Sequence, residues 1–324
     1  MQDVVTAERP AESVRPSLVA RGRIVERIVE GAIKLVALAS IAAVLLILVF
    51  VGKEALPVLT SAAVHKEITL GGLFTGNEGV HTWQPVSDVP KYDILPLLAG
   101  SAKVTLIALL FAVPLSVAAA VYVSEMAGKR SRELLKPAIE LLAGVPSVVI
   151  GFFALVVLSS WVQAVFGTEH RLNALVAGIG LAFAICPIVF SVSEDALRAV
   201  PGSYRTAAIA LGSTRAQTTL RVVIPAAGPG IAAAIVLGFG RAIGETMIVV
   251  LASGNAALLD GSLGHSTRTI TATIAQELGE VVVGSPHYHV LFFLGALLFV
   301  STFAVNFFGE RMVHGMRARL GGSR

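Results

Sequence analysis

The chain has 324 residues, of which 55% are hydrophobic and 14% charged, with a mean hydropathy of +0.80. These figures exclude an ordinary soluble domain. The formal charge of +4 points to membrane orientation rather than to nucleic acid, because the basic residues flank apolar runs. The single cysteine, Cys186, lies inside such a run and reads as a packing residue, which excludes an internal disulfide or a thiolate metal site.

Apolar runs of about 20 residues recur between polar breaks, the length an α-helix needs to cross a bilayer. The sequence therefore predicts an all-α membrane protein with six transmembrane helices. Residues 1–30 form a basic segment with Arg9, Arg15, Arg21, Arg23 and Arg27, read as a cytoplasmic tail whose end, Ile24 to Val29, suits the membrane surface. The run from about Ile33 to Val51 is too long for the hydrophobic region of a signal peptide and predicts an uncleaved first span over 31–52. Residues 53–93 then form an extracytoplasmic loop, whose Gly71, Gly72, Gly76, Gly79, Pro85 and Pro90 argue against one long helix. Trp83 and Tyr92 in this loop suit the membrane interface.

The main membrane domain is expected over 94–308. Its first helix, the second span, covers about Ile94 to Val123 and is followed by an inside cluster of Lys129, Arg130, Arg132 and Lys136. The third span covers about Ala138 to Phe166 with a bend at Gly144-Val-Pro146, and the fourth about Asn173 to Val192. Residues 193–228 are basic, amphipathic and too polar to span. There Pro201 starts a helix that Gly212 ends, and a second helix from Ser213 runs to Val223 before Pro225 stops it. Glu194-Asp195, where this stretch leaves the fourth span, reads as a solvated acidic pair. The fifth span covers about Gly230 to Ala252, an outer loop follows to residue 286, and the sixth span covers about Val290 to Phe308. A basic tail over 309–324, with Arg311, Arg317, Arg319 and Arg324, puts the C-terminus, like the N-terminus, in the cytoplasm.

In the fifth span, Arg241 and Glu245 stand inside an apolar run. Each charge at a bilayer centre costs roughly 2.5 to 3.5 kcal/mol, so the pair needs an offset. Four residues apart on one helix, they are expected to stack and pair while facing a neighbouring helix or a wet cavity. Gly240 and Gly244 form a small-xxx-small pair, expected on another face, that lets a helix approach.

In the 193–228 stretch, Thr206-Ala207-Ala208, then Gly212, then Val222-Val-Ile224-Pro225 resembles the EAA loop of ABC importer permeases, with Thr206 where that family usually has Glu. Glu140-Leu-Leu-Ala-Gly-Val-Pro-Ser147, Gly240-Arg-Ala-Ile-Gly-Glu-Thr-Met247 and Ala252-Ser-Gly-Asn255 are similar to the phosphate-specific branch, and to its PstC kind of permease more than its PstA kind. The resemblance implies the six-span MetI-like fold and a permease subunit rather than an enzyme, in a bacterial cytoplasmic membrane. It implies a second, PstA-like permease, a PstB-like ATPase pair carrying ATP and Mg, and a PstS-like extracytoplasmic phosphate-binding protein. By the same resemblance, Thr206, Ala207, Ala208, Gly212, Val222, Ile224 and Pro225 would couple to the ATPase. The intramembrane charges themselves suggest that Arg241 and Glu245 line the route of inorganic phosphate, Glu245 holding Arg241 in place between cycles, and the resemblance strengthens that expectation.

This chain has no Gly-rich phosphate loop ending in Gly-Lys-Ser or Gly-Lys-Thr, so no nucleotide cofactor is expected on it. Rival readings are an importer of sulfate or molybdate, an ion-coupled secondary transporter using an intramembrane carboxylate, and a membrane-embedded enzyme. No metal site is expected. His287 and His289 read as interfacial or solvated, and His65, His81, His170, His265 and His314 as isolated.

Overall fold

Six helices are long and apolar enough to cross a membrane in the computed structural model, which describes residues 16–69, 71–76 and 81–320, the side chains of 16–25, 317, 319 and 320 excepted. Arg9, Arg15 and Arg324, and the side chains of Arg21, Arg23, Arg317 and Arg319, on which the basic tails partly rest, lie outside the described residues, as does Gly79 of the loop.

Helix α1 (Pro16–Ala55) continues unbroken through the segment read as a tail, and its side chains from Glu26 to Phe50 are exposed. It is apolar on every side over its middle, as a lipid-facing helix is. Short helical turns at Pro57–Thr60, Ala62–His65 and Gly72–Thr75 follow, then an antiparallel pair, β1 (Trp83–Gln84) with β2 (Lys91–Tyr92), in register Trp83 to Tyr92. This segment is a folded cap. Leu73, Trp83, Tyr92 and Ile94 are buried with Ile270, Val290 and Leu294 in one apolar cluster. Trp83 and Tyr92 therefore do not sit at a lipid interface. Their rings meet edge to face, 5.6 Å apart, inside the cap.

The remaining helices are α2 (Leu95–Met126), α3 (Lys129–Ala143), α4 (Ser147–Phe166), α5 (Ala174–Arg198), α6 (Gly202–Ala210), α7 (Arg215–Ile243), α8 (Met247–Ala252), α9 (Ile270–Glu277) and α10 (Pro286–Leu320). Helix α5 is central and packs on α2, α3, α4, α7 and α8. Small residues make this possible, because lipid supplies no hydrophobic drive between helices and close contact must do the work. At Gly178 of α5 an added Cβ would lie 2.4 Å from Ile107 of α2, so no larger residue fits.

Three expectations need correction. The third span starts at Ser147, because Gly144-Val145-Pro146 separates it from α3, an amphipathic helix with no fully buried residue. Pro225 does not stop its helix: a π-turn over Thr219–Val223 has already shifted the hydrogen-bond ladder, so Pro225 falls in the first α-turn, where a missing N–H is tolerated. The fifth span is broken, ending at Ile243 and resuming as α8, which packs against α4 where Gly151 meets Met247, Ile248 and Leu251.

Candidate functional site

The break at Gly244-Glu245-Thr246 separates the two charges that a continuous helix would have stacked. Arg241 stands in the last turn of α7, where a cation is favoured beside free carbonyls. Glu245 lies beyond the helix end, 9% exposed, its Oε1 accepting from the Thr246 N–H at 3.2 Å. The Glu245 carbonyl accepts from Thr271 Oγ1 at 2.9 Å, so α9 holds the break from outside. No ion pair joins Arg241 to Glu245 among the described residues, because Gly244 ends the helix and removes the four-residue relation.

Arg241 is exposed and has no hydrogen-bond or ion-pair partner among the described residues. It borders a cavity of about 870 Å³ between α7 and α10, with Gly240, Gly244, Thr302 and Asn306. Gly240 and Gly244 thus share a face with Arg241. An added Cβ on Gly240 would lie 3.4 Å from Asn306, whereas Gly244 meets only the carbonyls of its own helix. A free, planar guanidinium on a cavity wall is a two-pronged donor for an oxyanion.

At the other end of α7 the chain makes an elbow. Helix α6 ends at Gly212, whose φ of 86° is the left-handed conformation that favours glycine. Thr214 then caps α7 in a reciprocal box with Gln217: the Gln217 N–H donates to Thr214 Oγ1 at 3.3 Å and the Thr214 N–H to Gln217 Oε1 at 3.0 Å. Thr206, Ala207, Gly212 and Pro225 are exposed, Val222 and Ile224 half-buried, and Ala208 buried. Leu211 at the tip is 88% exposed.

Polar contacts, which the sequence reading did not find, fix the elbow and α3 to the spans. Arg205 bonds Glu125 at the end of α2 through two contacts and donates to the carbonyls of Leu197 and Val200. Arg132 donates to the carbonyls of Val123 and Ser124 at 2.9 and 2.6 Å. Glu194 is fully buried and pairs with Lys136 of α3 at 2.8 Å and with Arg198, so it is not a solvated carboxylate. The signal was present: a carboxylate near the end of an apolar span demands a partner, and Arg198 stands four residues on along the same helix.

His287 and His289 are not solvated either. His287 bonds Glu277 at 2.9 Å, beside Arg268 and the Trp83 indole on the same carboxylate, and His289 bonds the Glu54 carbonyl. His170 and His265, read as isolated, meet ring to ring at 5.4 Å.

A bundle of apolar spans, one broken at a charged turn beside a cavity and joined at its far end to a rigid exposed elbow, defines a membrane permease. The chain belongs to the family described as binding-protein-dependent transport system inner membrane component, which matches residues 112–318. It is 39% identical over 222 residues, 68% of this chain and 72% of the other, to the "Probable ABC transporter permease protein YqgH" of Bacillus subtilis. It is 35% identical over 299 residues, 86% and 89% of the two chains, to the "Phosphate transport system permease protein PstC" of Mesorhizobium japonicum. A bacterial alginate ABC transporter, solved with an alginate-bound periplasmic protein, shares the fold with a TM-score of 0.58 at 15% identity, over 88% of this chain and 94% of that one. The chain is accordingly a multi-pass inner-membrane subunit of an ABC importer, with ATP hydrolysis on a separate subunit.

Proposed function

We propose that this chain is one of the two permeases of an ATP-driven importer of inorganic phosphate. Its partners are a PstA-like permease, a PstB-like ATPase pair holding ATP and Mg, and a PstS-like extracytoplasmic binding protein. The elbow and both termini face the cytoplasm, as the positive-inside rule requires.

The carrying observation is the exposed elbow locked by Arg205 to the spans, in a chain whose relatives include phosphate permeases. The apolar tip at Ile209 and Leu211 seats in a cleft on the ATPase, and Thr206, Ala207, Ala208 and Gly212 form its docking face. Val222, Ile224 and Pro225 carry the motion into α7 through the π-turn. At the far end of α7, Arg241 offers its paired N–H groups to phosphate oxygens as the bundle opens. Glu245 keeps the break in shape through Thr246 and Thr271 rather than clamping Arg241.

The test is uptake of labelled phosphate by the reconstituted four-component system. Uptake should require ATP and the binding protein and should survive an excess of sulfate. Equal competition by sulfate, or uptake driven by an ion gradient without ATP, overturns the reading.

A further inference from the structure

On the side of the bundle away from the elbow, the turn between α4 and α5 meets the loop between α8 and α9. Main-chain bonds fix the two segments together: the Ala174 N–H donates to the His265 carbonyl at 3.1 Å and the Leu175 N–H to the Leu263 carbonyl at 3.0 Å. Ser266 Oγ adds a bond to the Leu172 carbonyl at 2.9 Å. Asn173 braces the turn from inside, its Nδ2 donating to the His170 carbonyl at 2.7 Å.

On this frame Glu169, His170 and His265 each present one metal-binding atom, all within 4.8 Å of one another. The Nδ1 of His265 is taken by the Asp260 carboxylate, which leaves Nε2 facing Glu169 Oε2 at 3.5 Å. A tetrahedral ion with bonds of about 2.0–2.2 Å sets its ligands about 3.4 Å apart, so one edge of the polyhedron already has its length. A carboxylate behind the second ring nitrogen is the usual support of a metal-bound histidine. Asp260 is itself held by the Ser262 N–H at 3.0 Å.

The local charge also favours a cation. Glu169 and Asp260 bring two carboxylates, while Arg171 turns its guanidinium away, onto Ser159 Oγ and the carbonyls of Leu155 and Val156. Lys103, the other nearby cation, places its Nζ on the Asp260 and Ser262 carbonyls, 2.6 and 2.9 Å away. Two imidazoles and one carboxylate are a zinc-type donor set, unlike the all-oxygen shells of Mg²⁺ or Ca²⁺.

We propose that Glu169, His170 and His265 bind a zinc-type divalent cation, with Asp260 orienting His265. The ion would clamp the α4–α5 turn to the loop that leads into Thr269 and Thr271, and so to the support of the Glu245 break. This inference is independent of the solute the permease carries.

The test uses the assembled complex without a polyhistidine tag, stripped with chelator and titrated with Zn²⁺ against a competing chelator, with Co²⁺ as a spectroscopic probe. Expected are one zinc per copy of this chain beyond that bound by the His170→Ala/His265→Ala variant, and a tetrahedral Co²⁺ absorption that the variant lacks. Asp260→Asn should keep the stoichiometry and weaken binding by about 10- to 100-fold. The exposed His170→Ala alone serves where the double variant fails to assemble. Equal zinc binding by wild type and the histidine variants, or Co²⁺ spectra unchanged by them, overturns the site.

Discussion

Arg205 and Glu125 meet in a two-pronged ion pair, with Nη2 2.7 Å from Oε1 and Nε 3.1 Å from Oε2. The same guanidinium reaches the carbonyls of Val200 and Leu197 at 2.6 and 2.9 Å, so one side chain ties the elbow to the ends of both α2 and α5. The Glu125 carboxylate accepts both bonds, and these, reinforced by its charge, raise the Arg205 pKa against the effect of burial. Under the proposed docking, a displacement of α6 would reach two spans through this contact.

Removing Arg205 should separate hydrolysis from transport. Arg205→Ala leaves Glu125 without its partner and should destabilise the elbow by about 1–3 kcal/mol, the range for a half-buried charged hydrogen bond. The measurement is ATP hydrolysed per phosphate imported, which should rise, and the charge swap Arg205→Glu with Glu125→Arg should restore part of the coupling. An unchanged ratio in Arg205→Ala would show that the pair only fastens the fold.

Glu194 is costly to neutralise. Buried between Lys136 and Arg198, it balances two cations, and Glu194→Gln leaves Arg198 without its carboxylate and Lys136 with only the 3.8 Å contact to Glu140, at a loss of about 1–3 kcal/mol because both cations reach solvent. Thermal unfolding of the detergent-solubilised protein should show a lower midpoint for Glu194→Gln than for Lys136→Met, which leaves Arg198 in place.

Arg241 should behave in the opposite way. With no partner among the described residues, it can be replaced by Ala with a stability change within about 0.5 kcal/mol. Phosphate uptake, however, should fall by about tenfold or more for each charged hydrogen bond lost to the solute. Arg241→Lys keeps the charge but loses the fork, and should rescue uptake only in part. Wild-type uptake by Arg241→Ala would remove this residue from the route.

The spans were readable because a bilayer imposes one length on every apolar helix, and Gly212 because no other residue tolerates its turn as well. The broken fifth span was not readable. Hydropathy counts Gly244-Glu245-Thr246 as a brief polar dip, while the break is held by Thr271 and by the contact of α8 with Gly151, both distant in sequence. Stacking of Arg241 on Glu245 failed for that reason alone. Glu194 looked solvated because Lys136, which seals it from solvent, lies on another helix, although Arg198 four residues on was a legible local partner; His170 looked isolated because only the folded loop brings His265 beside it. Polar residues at span ends are thus placed by tertiary contacts that local pattern does not encode.

The cap gives a pH signature. Burial, with the charges of Glu67 and Glu277, raises the Tyr92 hydroxyl from 10.0 to about 12. The folded state therefore keeps its phenolic proton where the unfolded chain has lost it. The contribution is complete below pH 10 and disappears as pH rises toward 12, an amount of roughly 2–3 kcal/mol. Unfolding midpoints of wild type and Tyr92→Phe should run parallel below pH 10 and then diverge, with only the wild type losing the extra stability.

Gly212 tests the elbow itself. Its φ of 86° makes Gly212→Ala unfavourable by about 1–2 kcal/mol, while nothing lies near enough for an added Cβ to clash. Alanine should therefore lower stability slightly and leave transport coupled. Gly212→Trp adds bulk to an exposed tip that has room for it in the isolated chain, so the membrane protein should still fold and insert. If the tip seats in a cleft on the ATPase, the indole blocks the fit, and copurification of the ATPase and coupled uptake are lost together. Coupled uptake by Gly212→Trp at the wild-type rate would mean that the ATPase grips another surface.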